Sequence, residues 1–104
     1  MKTSYGVVWR EGTAPLARGK LELLARTIRL DGLSGCTRVT REIPYRELAA
    51  VRIGRSSADR LNGHPALVLE PRLGRAISLA SVAQPGIIVE LVERLAGLRL
   101  AATS

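Results

Sequence analysis

The chain has 104 residues, 46% hydrophobic and 24% charged, proportions that exclude a disordered chain and suit one core with little room for a second. A net charge of +7, carried by 14 Arg and 2 Lys against 9 acidic residues, favours anionic partners. The single cysteine, Cys36, excludes an internal disulfide and a multi-cysteine metal site, and the longest apolar stretch is broken by Glu90, Glu93, Arg94 and Arg99, which excludes a spanning helix.

In chain order, Tyr5–Glu11 is β-branched and aromatic and predicts a strand ending at Gly12-Thr13-Ala14-Pro15. Leu16–Ala25 then alternates: Ala17, Gly19, Leu21, Leu23 and Ala25 share one face, and Arg18, Lys20 and Glu22 the other. This is the period of a half-buried antiparallel strand. A turn near Arg26 leads into Thr27–Asp31, with Ile28 and Leu30 inward, Arg29 and Asp31 outward, and Gly32-Leu33-Ser34-Gly35 as its end. Arg38–Tyr45 places Val39, Ile43 and Tyr45 on one side, and Pro44 marks a sheet edge or a bend. Leu48–Gly54 sets Val51 and Ile53 against Arg52, and Arg55–His64 reads as a long polar loop. Pro65–Glu70 and Arg75–Ala80 flank a hairpin loop, Pro71-Arg72-Leu73-Gly74.

The rhythm then changes. Ile88, Leu91, Val92 and Leu95 recur at helical spacing, with Ile87 and Leu98 widening the stripe, and Pro85 suits the first turn of a helix over about 84–99. Glu90 and Arg94 stand four apart on the outer face, and Gly97 predicts fraying towards the end. The count is seven short strands, within 5–80, and one amphipathic helix in a single domain over 1–104. It predicts a mainly β fold: a seven-stranded antiparallel, orthogonally packed sandwich or partly open barrel capped by a C-terminal α-helix. The Ala66–Leu69 strand is apolar on both faces, one expected under the core and the other under the helix, and Trp9 is expected to leave an apolar patch outside the core.

This element order resembles the pleckstrin-homology (PH-like) superfamily in its small bacterial form. The resemblance is carried by Gly19-Lys20-Leu21-Glu22-Leu23 with its turn into Thr27-Ile28-Arg29-Leu30, by Ile43-Pro44-Tyr45-Arg46-Glu47-Leu48-Ala49-Ala50-Val51, by the late hairpin around Gly74 and by the terminal helix. It covers about Tyr5 to Leu98. The tryptophan that many members place in the helix is absent, the sole Trp being Trp9 in the first strand. The resemblance implies a non-enzymatic module that binds headgroups, peptides or proteins through loops at the open barrel end. Arg10, Arg18 and Lys20 fall near the family's lipid signature across the first hairpin, with Arg and Lys interchanged at its ends.

Catalysis finds no constellation: His64 is the single histidine, and no phosphate loop, nucleophile elbow or metal-ligand spacing occurs, so neither enzyme activity nor a cofactor is expected. The expected function is a binding or scaffold module whose contacts are Arg10, Arg18, Lys20, Arg38, Arg72 and Arg75, donating charge-assisted hydrogen bonds to carboxylate or phosphate. A protein partner or self-association comes first, an anionic lipid surface second and non-specific nucleic-acid binding third. The expected location is cytoplasmic, with peripheral membrane contact under the lipid reading. Outward strand positions also collect charge because they face water, and GC-rich coding sequence enriches Arg, Ala, Leu and Gly together.

Overall fold

The computed structural model describes residues 3–54, 61, 64–81 and 86–103. Seven antiparallel strands, β1 (Ser4–Glu11), β2 (Ala17–Leu23), β3 (Thr27–Ser34), β4 (Thr37–Pro44), β5 (Leu48–Gly54), β6 (Ala66–Pro71) and β7 (Ile77–Ala80), precede one helix, α1 (Ile87–Thr103). A single 3-10 turn, Tyr45–Glu47, joins β4 to β5. The sheet order is β4-β3-β2-β1-β7-β6-β5. The sheet curls into a half-barrel, and α1 lies against β5, the 3-10 turn and β6.

Period two gives the sheet a single apolar inner face. Leu21 and Leu23 of β2, Ile28 and Leu30 of β3, and Leu67 and Leu69 of β6 all point into one core, which the helix completes with Ile88, Leu91 and Leu95. Burying each of these side chains contributes about 1.5–3 kcal/mol. Pro44 is both on the edge strand and at the bend, where its missing N–H costs no ladder bond.

Three local expectations are corrected. β3 continues through Gly32 to Ser34 because Gly32 pairs with Gly19 in an unusually close approach. A Cβ on Gly19 would stand 1.9 Å from the Asp31 carbonyl oxygen and 2.5 Å from Gly32 Cα. The turn that follows is Gly35-Cys36, at the centre of Ser34-Gly35-Cys36-Thr37, with Gly35 at φ 63 and Cys36 exposed. Ala25 is exposed in the β2–β3 turn rather than inward on β2. In the β6–β7 connection, Arg75 and Ala76 belong to the loop, since the ladder resumes only at Ile77.

The second face of β6 is not covered by the helix. Ala66 packs there with Val8, Ala80 and Leu61, so the long connection between β5 and β6 supplies the cover through Leu61. Trp9 makes no outer patch: it is 1% exposed and faces the core. The helix runs through Gly97 to Thr103, past the expected end, because Leu98 packs on the core and Arg99 donates to the Leu48 and Ala49 carbonyls. Pro85, its expected first turn, lies outside the described residues. Among the described residues no helix is long and apolar enough to cross a membrane.

Candidate functional site

The β1–β2 turn adjoins two other connections, the β6–β7 loop and the β3–β4 turn. The Gly12 N–H donates to the Ala76 carbonyl (2.8 Å), which ties the β1–β2 turn to the β6–β7 loop. A pocket of about 320 Å³ is bounded by Ala14 and Pro15 of the β1–β2 turn and by Ser34 and Thr37 around the β3–β4 turn. Its floor is Trp9, Ala17 and Val39, and Arg10 and Glu11 stand on its rim.

Trp9 shapes that floor. Small residues on the neighbouring strand, Ala17 and Gly19, leave room for the indole, whose N–H donates across β2 to the Asp31 carbonyl (3.3 Å). Glu11 on that rim pairs with Arg41 of β4 at 3.2 Å. Both lie at inward register positions, Glu11 continuing Tyr5-Val7-Trp9 and Arg41 lying between Val39 and Ile43. The buried Arg41 Nε has no hydrogen-bond partner among the described residues.

The six arginine and lysine candidates divide by what they touch. Lys20 lies 3.5 Å from Glu22 and opposite Asp31. Arg38 grips Asp31 with two bonds (2.9 and 3.3 Å), and the Thr40 hydroxyl adds a third at 3.2 Å. The Arg38 guanidinium in this pair holds the Asp31 carboxyl below its ordinary value of 3.8, with Thr40 assisting and partial desolvation opposing. Arg72 fastens the β6–β7 loop to the 3-10 turn, its side chain donating to the Arg46 carbonyl (3.1 Å) and its backbone N–H to Glu47 (2.8 Å). Arg10, Arg18 and Arg75 have no acidic partner within 4.0 Å among the described residues. Val8 pairs with Arg18, so Arg10 and Arg18 are diagonal neighbours on the outer face, within reach of one ligand group. Arg75 lays its stem against Gly12, where an added Cβ would meet Arg75 Cδ at 2.6 Å. These three surround one hairpin.

Sequence reasoning missed a second pair, Arg26 and Arg46, on the banks of a groove of about 510 Å³ between Leu98, Ala101 and Ala102 of α1 and the two turns. Neither residue lies in an alternating run. They meet only because Tyr45 donates its N–H to the Arg26 carbonyl (3.1 Å) and its hydroxyl to the Leu24 carbonyl (2.7 Å). Arg94, expected on the outer face, reaches in to the Tyr5 hydroxyl at 2.6 Å. His64 pairs with Leu61 through two backbone bonds, and among the described residues no group of three His, Cys, Asp or Glu could hold a metal ion.

The architecture is thus that of a small mainly β half-barrel with one covering helix. No family model matches the chain, and no curated protein matches it in sequence. Among solved structures it is similar to the C-terminal domain of an unknown protein from Leishmania infantum, with a TM-score of 0.68 at 21% identity over 93% of this chain and 81% of that one. At that identity the likeness concerns the fold alone.

Proposed function

We propose that the chain is a non-catalytic binding module of PH-like type that holds an acidic protein surface through Arg10, Arg18 and Arg75. The observation that carries this reading is the grouping of three arginines without acidic partners around the β1–β2 hairpin, while Lys20, Arg38, Arg41 and Arg52 each lie within 4.0 Å of a carboxylate. A planar guanidinium matches a carboxylate or phosphate through paired N–H donors. The adjoining pocket over Trp9, Ala17 and Val39 adds an apolar contact that suits a peptide side chain beside the acid. Lipid headgroup binding has less to draw on, since two of the six candidates are engaged by Glu22 and Asp31. Nucleic-acid binding lacks a stacking platform, because Tyr5, Trp9 and Tyr45, the chain's three aromatic residues, are all buried.

The test is calorimetric titration at fixed salt with a Glu-rich peptide containing leucines, vesicles containing phosphatidylserine, and single-stranded DNA. The peptide is expected to bind, and the R10A/R18A/R75A variant to bind it at least about tenfold more weakly with an unchanged circular-dichroism spectrum. Equal peptide affinity in the variant contradicts the proposal. Vesicle binding that exceeds peptide binding transfers the same arginines to the lipid reading.

A further inference from the structure

We infer that the outer edge of β4 is an interface for a second copy of this chain, joined by antiparallel β4–β4 pairing about a two-fold axis through Thr40.

The two ends of the sheet are finished differently. At the β5 edge, Arg99 of α1 donates to the Leu48 and Ala49 carbonyls, so a side-chain donor occupies the first two residues of that strand. At the β4 edge, no backbone group of the described residues pairs with the strand, which ends the sheet order. A cleft of about 360 Å³ separates its Arg41–Ile43 part from Glu47 and the Pro71–Leu73 turn. An edge of this kind is a template for another strand.

The phase of the free groups follows from the hairpin. Ser34 and Thr37 close the two-residue Gly35-Cys36 loop, and the turn bond joins them. Hydrogen-bonded and non-bonded positions then alternate along the unbroken β3–β4 register. Thr37, Val39, Arg41 and Ile43 therefore direct their backbone groups to β3, and Arg38, Thr40 and Glu42 direct theirs to the open edge.

Only certain symmetric registers join these three residues to their copies. Centring on Arg38 or on Glu42 sets like charges directly opposite. Centring on Arg41 sets Arg41 against its copy, and centring on Val39 pairs Arg38 with Thr40 and leaves both charges unmatched. Centring on Thr40 pairs Thr40 with itself and Arg38 with Glu42 twice, with N–H and C=O exchange at all three positions. Opposite charges and Thr–Thr pairs are favourable cross-strand neighbours, and like charges are not. Glu42 stands opposite Arg29 in the β3–β4 register, yet it is exposed and has no cation within 4.0 Å among the described residues, whereas Glu11, Glu22, Asp31 and Glu70 each have one, so it is open to a cation from a second copy. Arg38, with its side chain 73% exposed, can accept a second carboxylate while holding Asp31. The inward Arg41 and the terminal Pro44 discourage other strands, so the edge is selective rather than generally adhesive.

Sedimentation velocity from micromolar to millimolar concentration tests the inference. The wild type is expected to show a concentration-dependent monomer–dimer equilibrium, weak because a single strand pair buries less than a standard interface. E42R and R38E are each expected to weaken self-association at least about tenfold, while an equimolar mixture of the two sediments as a heterodimer. T40P, which removes the edge-facing N–H together with the exposed Thr40 hydroxyl bond to Asp31, is expected to abolish the dimer and keep the monomer's circular-dichroism spectrum. A strict monomer at every concentration overturns the inference, as does a dimer that E42R and T40P leave intact or a folded mixture that fails to associate.

Discussion

Trp9, Gly19 and Gly32 form one unit in which the large residue depends on the absence of two side chains. The indole crosses β2 to reach the Asp31 carbonyl, and the β2 and β3 backbones approach closely at the paired glycines. Gly19→Ala would drive a methyl into the Asp31 carbonyl, so a loss of about 2–3 kcal/mol is expected in urea unfolding. Gly6→Ala on the adjacent strand meets nothing within 4 Å and is expected to be neutral or to stabilise by about 0.5 kcal/mol. Equal effects at the two positions would contradict the close approach. In the sequence, Gly19 looks like one more small inward residue and Gly32 like part of a turn. Their roles appear only once the register sets them opposite each other, which no local pattern encodes.

Tyr45 makes the 3-10 turn a clasp, since it bonds the β2–β3 turn through both its backbone and its hydroxyl. Burial raises its phenol above the ordinary 10.0, with Arg94 pulling weakly the other way. A raised pKa means that the folded state favours the protonated phenol. That contribution is complete below pH 10.0 and is lost as pH rises through the folded-state value. Tyr45→Phe is expected to cost about 1 kcal/mol at neutral pH and to flatten the alkaline fall in thermal midpoint. An alkaline limb of unchanged slope in the variant would show that another group causes it. At this scale the sequence is most legible where one face meets water: β2, β3 and the helix stripe write their period in residue type. β6 is buried on both faces, so its pattern cannot say what lies above it, and Leu61 comes from a connection with no periodic signal.

Across the whole molecule, the outward arginines were readable as outward, but which of them carry an acid was not. The Arg38–Asp31 grip is a diagonal across a hairpin, and Lys20–Glu22 is a neighbour pair along one strand. Both depend on side-chain placement rather than on spacing, so a charge of +7 resolves into engaged and unengaged cations only in three dimensions.

The sheet order also has a consequence for how the molecule forms. Every ladder except one joins strands consecutive in the chain; the exception is β1 with β7, where Val8–Glu11 meets Ala80–Ile77. Two meanders that can zip locally are sewn along this seam, and the stitching must draw together the chain's opening strand and its last one. Closing so long a loop costs entropy before any seam contact repays it, which makes this closure the expected kinetic bottleneck. Ile77→Val should therefore slow refolding and scarcely change unfolding in a chevron experiment, whereas an effect confined to the unfolding arm would place the seam after the barrier.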